Sequence, residues 1–350
     1  MDRDSEPMIK AAAATPALAR SGQGHGALAS ADVAVVIVNY NSGPHLRMCL
    51  QALGRQTRSP RRVIVVDNAS TDDSLTGASA SYANVEILHA GRNLGFAGGN
   101  NLAIRSLDNC RYVALVNADA YVEPDWLERL LDAAMRRPDC DFFSCRLLSA
   151  TEPTRLDGTG DVYHVSGRAW RRDWGQPATA SSSSTPTLGA CAAAALYKRE
   201  ALIAIDCFDE DYFCFYEDVD LSFRLQLTGH RGLYVAEAIA RHVGSASTVR
   251  QSDFCVYYGH RNLVWTYVKN MPGPLFWLYL PQHLALNLAT VLWFALRGRG
   301  RLILRAKWDA LRGLRGAWSK RRSIQARRTA SIASIRLLLA RGLLTPYFGP

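Results

Sequence analysis

A chain of 350 residues with 48% hydrophobic and 21% charged side chains has enough apolar mass for a buried core plus an appendage. That excludes intrinsic disorder as its main state and sets two structural units as the expectation. Eight cysteines are too dilute for a disulfide scaffold and include no CxxC pair or zinc-finger spacing, so they read as reduced thiols of a cytosolic chain. The net charge of +10 is uneven: residues 297–350 carry 14 of the 41 Lys and Arg with Asp309 as their one acid, leaving 27 basic against 30 acidic groups before them. A near-neutral body with a basic tail points to a body that does chemistry and a tail that meets an anionic surface, lipid or nucleic acid.

Residues 1–31 are Ala-rich, contain no continuous apolar stretch and so no secretory signal, and are expected to form a disordered leader. From Val33 the chain alternates short apolar runs with amphipathic stretches. Val33–Tyr40, Val63–Asn68, Val85–Ala90 and Tyr112–Asp119 are β-branched runs of strand length, and their near-continuous apolarity suits parallel strands covered on both faces. Helices are expected over Pro44–Gln56, with Leu46, Cys49, Leu50 and Leu53 on one stripe, and over Pro124–Arg137, with Pro124 tolerated in the first turn. The alternation predicts an open α/β sheet, whose ligands bind beyond the carboxyl ends of the strands. The four-serine stretch Ala178–Pro186 reads as a linker or a mobile loop near such a site, and no internal repeat is present.

The polar residues that follow each run are therefore the candidates. Asn39, Tyr40 and Asn41 follow the first run, Asp67 to Ser70 the second, and the glycine-rich turn Gly91–Asn101, with Arg92, Asn93 and Gly95, the third. Such a turn lets backbone amides approach a phosphate or sugar, although its glycine spacing is not GxGxxG. Asn117 and Asp119 stand two apart on one side of an extended chain, and oxygen ligands of this kind suit Mg2+ or Mn2+. Glu217, Asp218 and Asp220 crowd a helix start directly after the aromatic run Asp211–Tyr216, as a base shielded from water requires, although an acidic first turn also serves the helix dipole. His242 follows the apolar run Gly232–Ile239 and Arg241.

These six motifs, in this order over residues 33–265, resemble the family 2 inverting glycosyltransferases of GT-A fold, and within them the bacterial rhamnosyltransferase-like branch. The resemblance implies a GT-A domain over 32–262, Rossmann-like with a mixed, mostly parallel sheet, followed by a helical, membrane-associating region over 263–350. It implies that Asp67 binds the pyrimidine of a nucleotide diphosphate sugar, with Asn39, Tyr40, Arg92, Asn93, Gly95 and Asn117 lining the donor pocket. Asp119 and His242 would hold the divalent metal, Asp218 would be the base with Glu217 beside it, and Asp220 would contact the acceptor. Asn117 stands where the family's usual acidic-x-acidic motif has its first acid, a form common in this branch. The implied donor is dTDP-L-rhamnose, with UDP-hexose or galactofuranose donors left open, and the implied acceptor is lipid-linked or polysaccharide, in cell-envelope glycan synthesis. An inactive partner subunit of the same fold and a nucleic-acid-binding protein are the readings of other classes; the acids at the strand ends and the acidic body speak against nucleic acid.

Leu275–Leu296 is long enough to cross a bilayer, but Pro281, Gln282, His283 and Asn287 interrupt it. An in-plane or re-entrant segment anchored by Trp277, Tyr279 and Trp293 is expected, followed by the basic run from Arg297, which would face anionic lipid on the inner side of the plasma membrane.

Overall fold

The computed structural model describes residues 32–244 and 252–348; the expected leader over 1–31 lies outside them. Strands β1 (Val33–Asn39), β2 (Arg62–Asp67), β3 (Val85–His89) and β4 (Tyr112–Val116) coincide with the four apolar runs, and helices α1 (His45–Gly54), α2 (Ala78–Ser81) and α3 (Gly95–Arg105) connect the first four strands. A short β5 (Ala120–Val122) precedes α4 (Trp126–Arg136). The second half adds β6 (Phe142–Ser149), β7 (Leu156–Gly158), β8 (Asp161–Tyr163), β9 (Ala169–Arg171), β10 (Thr185–Thr187) and β11 (Ala194–Lys198), then α5 (Arg199–Ala204), α6 (Glu217–Leu227) and β12 (Gly232–His242). The serine stretch expected to be a linker thus ends in a strand paired with β12, and Ser181 is fixed through its carbonyl by Arg146 and Tyr234.

The sheet runs β10-β12-β6-β11-β4-β1-β2-β3. Its β4-β1-β2-β3 half is parallel, β6 and β12 are parallel to each other, and β11 is antiparallel to both its neighbours. Val33, Val35 and Ile37 of β1 pack under α1 and α4, while Ala34 and Val36 pack under the opposite layer, which includes α3, α5 and α6. Both faces are covered, which explains the unbroken apolar runs.

Helices α7 (Asp253–Asn270), α8 (Gly273–Leu296), α9 (Gly300–Arg312), α10 (Leu314–Ala326), α11 (Ile332–Leu338) and α12 (Thr345–Phe348) complete the chain. A third core joins Phe223 of α6 to Tyr267, Phe276, Ala317 and Ile335 of these helices. Helix α7 runs straight through residue 262, where the sequence places a domain boundary, and Asn262 itself donates to the carbonyls of Tyr212, Cys214 and Phe215. The helical region is therefore a layer packed on the sheet domain.

Candidate active site

The strand tips open onto one cleft of about 1620 Å3, lined among others by Tyr40, Asn68, Asn93, Asn117, Asp119, Asp157, Asp161, Glu217, Asp218 and His242. Sheet register builds its polar end. Pairing of β5 with β12 sets His242 opposite Ala120, which brings the His242 Nε2 to 3.3 Å from the Asp119 carboxylate. The other ring nitrogen, Nδ1, lies 2.8 Å from Asp157 Oδ2. A carboxylate on Nδ1–H orients the ring as at metal-binding histidines, whose Nε2 gives up its proton to take a cation. Burial opposes a charge on His242, but the hydrogen bonds to Asp119 and Asp157 raise its pKa above the ordinary value.

Asn117 Oδ1 is buried without a hydrogen-bond partner, while its Nδ2 is 3.4 Å from His242 Nε2. A carboxylate, an imidazole nitrogen and an orphaned amide oxygen form a hard, mostly oxygen donor set, so these residues fit Mg2+ or Mn2+. A second group, Asp161, Cys191 and Asp218, has its ligand atoms within 4.8 Å of one another. Burial pushes the Cys191 thiol up, and a protonated thiol is a poor ligand for such a cation.

Asp218 sits on the first turn of α6, where Val219 N donates to its Oδ1 at 2.8 Å and Ala192 N approaches its Oδ2 at 3.5 Å. Burial raises its pKa above the ordinary carboxylate range, against the pull of these amides and of Arg171. Burial and the Asp218 charge push Asp161 and Glu217 well above that range. Asn68 Oδ1, Asp161 Oδ2 and Glu217 Oε2 are, like Asn117 Oδ1, buried in this cleft wall with no hydrogen-bond partner. Each such oxygen costs about 1–3 kcal/mol of lost hydration, a cost a bound polar ligand would offset.

The loop into α6 is strained: Phe213, Phe215 and Tyr216 all adopt positive φ, at 63°, 66° and 67°. Non-glycine residues in this region cost about 1–3 kcal/mol each and persist where function needs the geometry. Gly95, at φ 71°, lets the start of α3 come against this loop: Phe96 N donates to Phe213 O at 2.7 Å, and a Cβ on residue 95 would collide with that same carbonyl.

Other candidate residues occupy different places. Tyr40 is exposed on the cleft wall. Asn39 and Asp67 are paired in register at the tips of β1 and β2, buried just behind that wall. Asn39 Nδ2 donates to Ser70 Oγ at 3.0 Å and Ser74 Oγ at 2.9 Å, so it braces the loops, whereas Asp67 takes the Ser70 amide at 3.2 Å and lies 3.5 Å from His89 Nδ1. Asn93 Oδ1 accepts from Gly95 N at 2.9 Å and starts α3, and Arg92 is exposed outside the cleft lining. Asp220 overturns its expected place: it is fully buried, accepting from Tyr212, Lys269, Arg224 and Asn270, and does not line the cleft. Burial works to raise its pKa, but Lys269 and Arg224 hold the carboxyl far below the ordinary range. Sequence reasoning missed Asp157, which β7 places beside β6, and Asp161 and Arg171, which face each other in the β8–β9 pair; two acids among the glycines of Leu156–Asp161 were the available signal.

The family description Glycosyl transferase family 2 matches residues 34–206. An N-acetylglucosaminyl-diphospho-decaprenol L-rhamnosyltransferase of Mycobacterium tuberculosis is 32% identical over 248 residues, 62% of this chain and 77% of that protein. The chain belongs to glycosyltransferase family 2. Its rhamnosyltransferase-like character rests on that relative. A solved structure, GalNAc-T7 with UDP, GalNAc and Mn2+, superposes with a TM-score of 0.55 at 14% identity, over 68% of this chain and 48% of that one. The glycosyltransferase spans about half the length of that protein, and what the two share is the GT-A fold.

Proposed function

We propose that this glycosyltransferase moves L-rhamnose from dTDP-L-rhamnose, with inversion and with a divalent cation, to a hydroxyl of a lipid-linked sugar diphosphate. The observation that carries it is one cleft lined by the Asp119–His242–Asp157 chain, by the raised carboxyl of Asp218 and by four residues with unpartnered oxygens. Asp119, His242 and Asn117 would hold Mg2+ or Mn2+, which when bound neutralises the donor diphosphate as a leaving group. Asp67 and Asn93 would position the nucleotide, with Tyr40 against the base. Asp218 takes the proton of the acceptor hydroxyl as that oxygen bonds to the anomeric carbon from the face opposite the breaking C–O bond to the diphosphate. The rhamnosyl donor and the polyprenyl acceptor follow from the name of the Mycobacterium tuberculosis relative.

Helix α8 supports work at a membrane surface. It is long and apolar enough, by length and composition, to cross a bilayer. One face, however, is docked: His283 Nδ1 lies 2.8 Å from Ser166 O and its ring stacks on Tyr267 at 3.9 Å. The opposite stripe, Trp277, Leu278, Leu284, Leu288, Leu292 and Leu296, is exposed and bears no polar group. A helix tied to the body on one side and bare on the other lies in the plane of anionic lipid, with Arg297 stacked over Trp293 at its rim. Tyr279 points elsewhere, to Arg336 of α11.

A thermal-shift panel of dTDP-L-rhamnose, UDP-glucose and UDP-galactofuranose, each with and without Mn2+, tests the donor, because a ligand bound to the folded state alone raises Tm. The largest Mn2+-dependent rise is expected with dTDP-L-rhamnose. A chain whose Tm responds to none of them is not this enzyme.

A further inference from the structure

With Asp220 buried in the core, the cleft needs another surface to receive the acceptor. We propose that Phe213, Phe215, Phe254 and Tyr258 form the acceptor subsite and take the apolar C–H face of the acceptor's terminal sugar. This assignment rests on the transferase reading above.

All four side chains line the same cleft as Asp218. They form one cluster: Phe254 and Tyr258 have ring centroids 4.7 Å apart, Phe213 stacks on Tyr258 at 5.3 Å, and Phe215 meets Phe254 edge-on at 6.0 Å. Yet none of them belongs to the three hydrophobic cores, and each is only partly buried. Rings clustered outside a core, on a cleft wall, are apolar surface kept for a ligand.

Their position selects the ligand. The polar end of the cleft, with Asp119, Asp157, Arg171 and His242, suits a diphosphate and its cation, whereas the four rings bring no formal charge. The group that must reach Asp218 is a sugar hydroxyl, and a pyranose ring is polar at its rim and apolar on its C–H face. Phe215 lies three residues before Asp218 in the chain, and a sugar lying on these rings would stand within reach of that carboxylate. Helix α7 ties the two together: Phe254, Tyr258 and Asn262 follow each other at four-residue steps on one face, and the Asn262 amide donates to the carbonyls of Cys214 at 3.0 Å and Phe215 at 2.7 Å. Helix α7 thereby carries two of the rings and holds the loop that bears the other two and leads into α6.

The test is saturation-transfer NMR on the full chain, with methyl N-acetyl-β-D-glucosaminide as one probe and decyl N-acetyl-β-D-glucosaminide as the other. Phe254→Leu and Tyr258→Leu keep apolar volume and discard the ring, and Tyr258→Phe keeps the ring. Saturation of the sugar ring C–H protons is expected in the natural chain and in Tyr258→Phe, falling about fivefold in the two Leu variants. Melting temperatures, with and without dTDP-L-rhamnose and Mn2+, report on fold and donor pocket in every variant. The same sugar signal in the Leu variants, or a ring-dependent signal confined to the decyl chain, overturns the subsite while leaving the donor reading intact. A chain with no Tm response to any nucleotide sugar loses the donor reading and this assignment with it.

Discussion

Asp218 and Asp220 stand two residues apart on the first turn of α6 and meet opposite environments. Side chains at this spacing point to different faces of a helix. One faces the cleft, where burial raises its pKa and its neighbours Asp161 and Glu217 each carry an oxygen without a partner. The other faces the third core, where four donors, two of them cations, satisfy it and depress its pKa. Carboxylates of the same type, pushed apart by their surroundings, divide the labour of catalysis and support. On the proposed mechanism the acidic block in the sequence is two devices, one that takes a proton and one that locks the helix bearing it.

Removing either should fail differently. Asp218→Asn is expected to lower transfer by about 10^2–10^4-fold, the usual worth of a positioned general base, while dTDP-L-rhamnose still raises Tm as in the natural chain. Single-turnover assays with labelled donor measure this, and near-normal turnover would move the base elsewhere. Lys269→Ala strikes the other side. Lys269 Nζ bridges Asp209 and Asp220, the latter at 2.8 Å, and its loss leaves two buried carboxylates short of a cation. Breaking a buried pair in this way costs about 3–5 kcal/mol of stability, read as a lower urea midpoint at unchanged slope. Because the Asp220 pKa is depressed in the fold, the stability it contributes is present above the unfolded carboxylate pKa and is lost only as pH falls toward its folded value. An Asp218 variant with the stability defect, or a Lys269 variant with normal stability and no turnover, would merge the two roles.

The separation of these roles was not legible in the sequence, though much around it was. Strands β1 to β4 showed as unbroken apolar runs because helices cover both of their faces, and the amphipathic stripes of α1 and α4 match their one buried side. Strands β6 and β11 escaped notice: β11 is built of small residues, Ala194 and Ala195 before Leu196, and its antiparallel pairing follows from no local pattern. Asp119, Asp218 and His242 could be named because they sit at strand and helix ends, yet Asp157 and Asp161 lie in the three-residue strands β7 and β8, which read as a loop. Asp220 misled because spacing shows that three acids are close in the chain and is silent on Lys269 and Asn270, about fifty residues further on, which turn one of them inward.

The finest division lies within the cleft itself, between Asp218 and Asp161. Burial and the Asp218 charge together hold the Asp161 pKa well above the ordinary range. With Asp218 as the proposed base, activity would require the ionised form, be present above its raised folded pKa and be lost as pH falls through it. Ionisation of Asp161 or of Glu217, which the same causes hold up, adds a further negative charge beside Asp218 and shapes the alkaline side of the profile. Asp161→Asn mimics the protonated acid in shape and charge. In a pH profile of kcat/KM it should leave the acid limb where it is, change the rate at neutral pH least of the three substitutions, and weaken the alkaline inflection to the part that Glu217 contributes. An acid limb that moves to lower pH instead would mean that the residue 161 carboxyl is charged throughout, with the proton of the pair residing on Asp218.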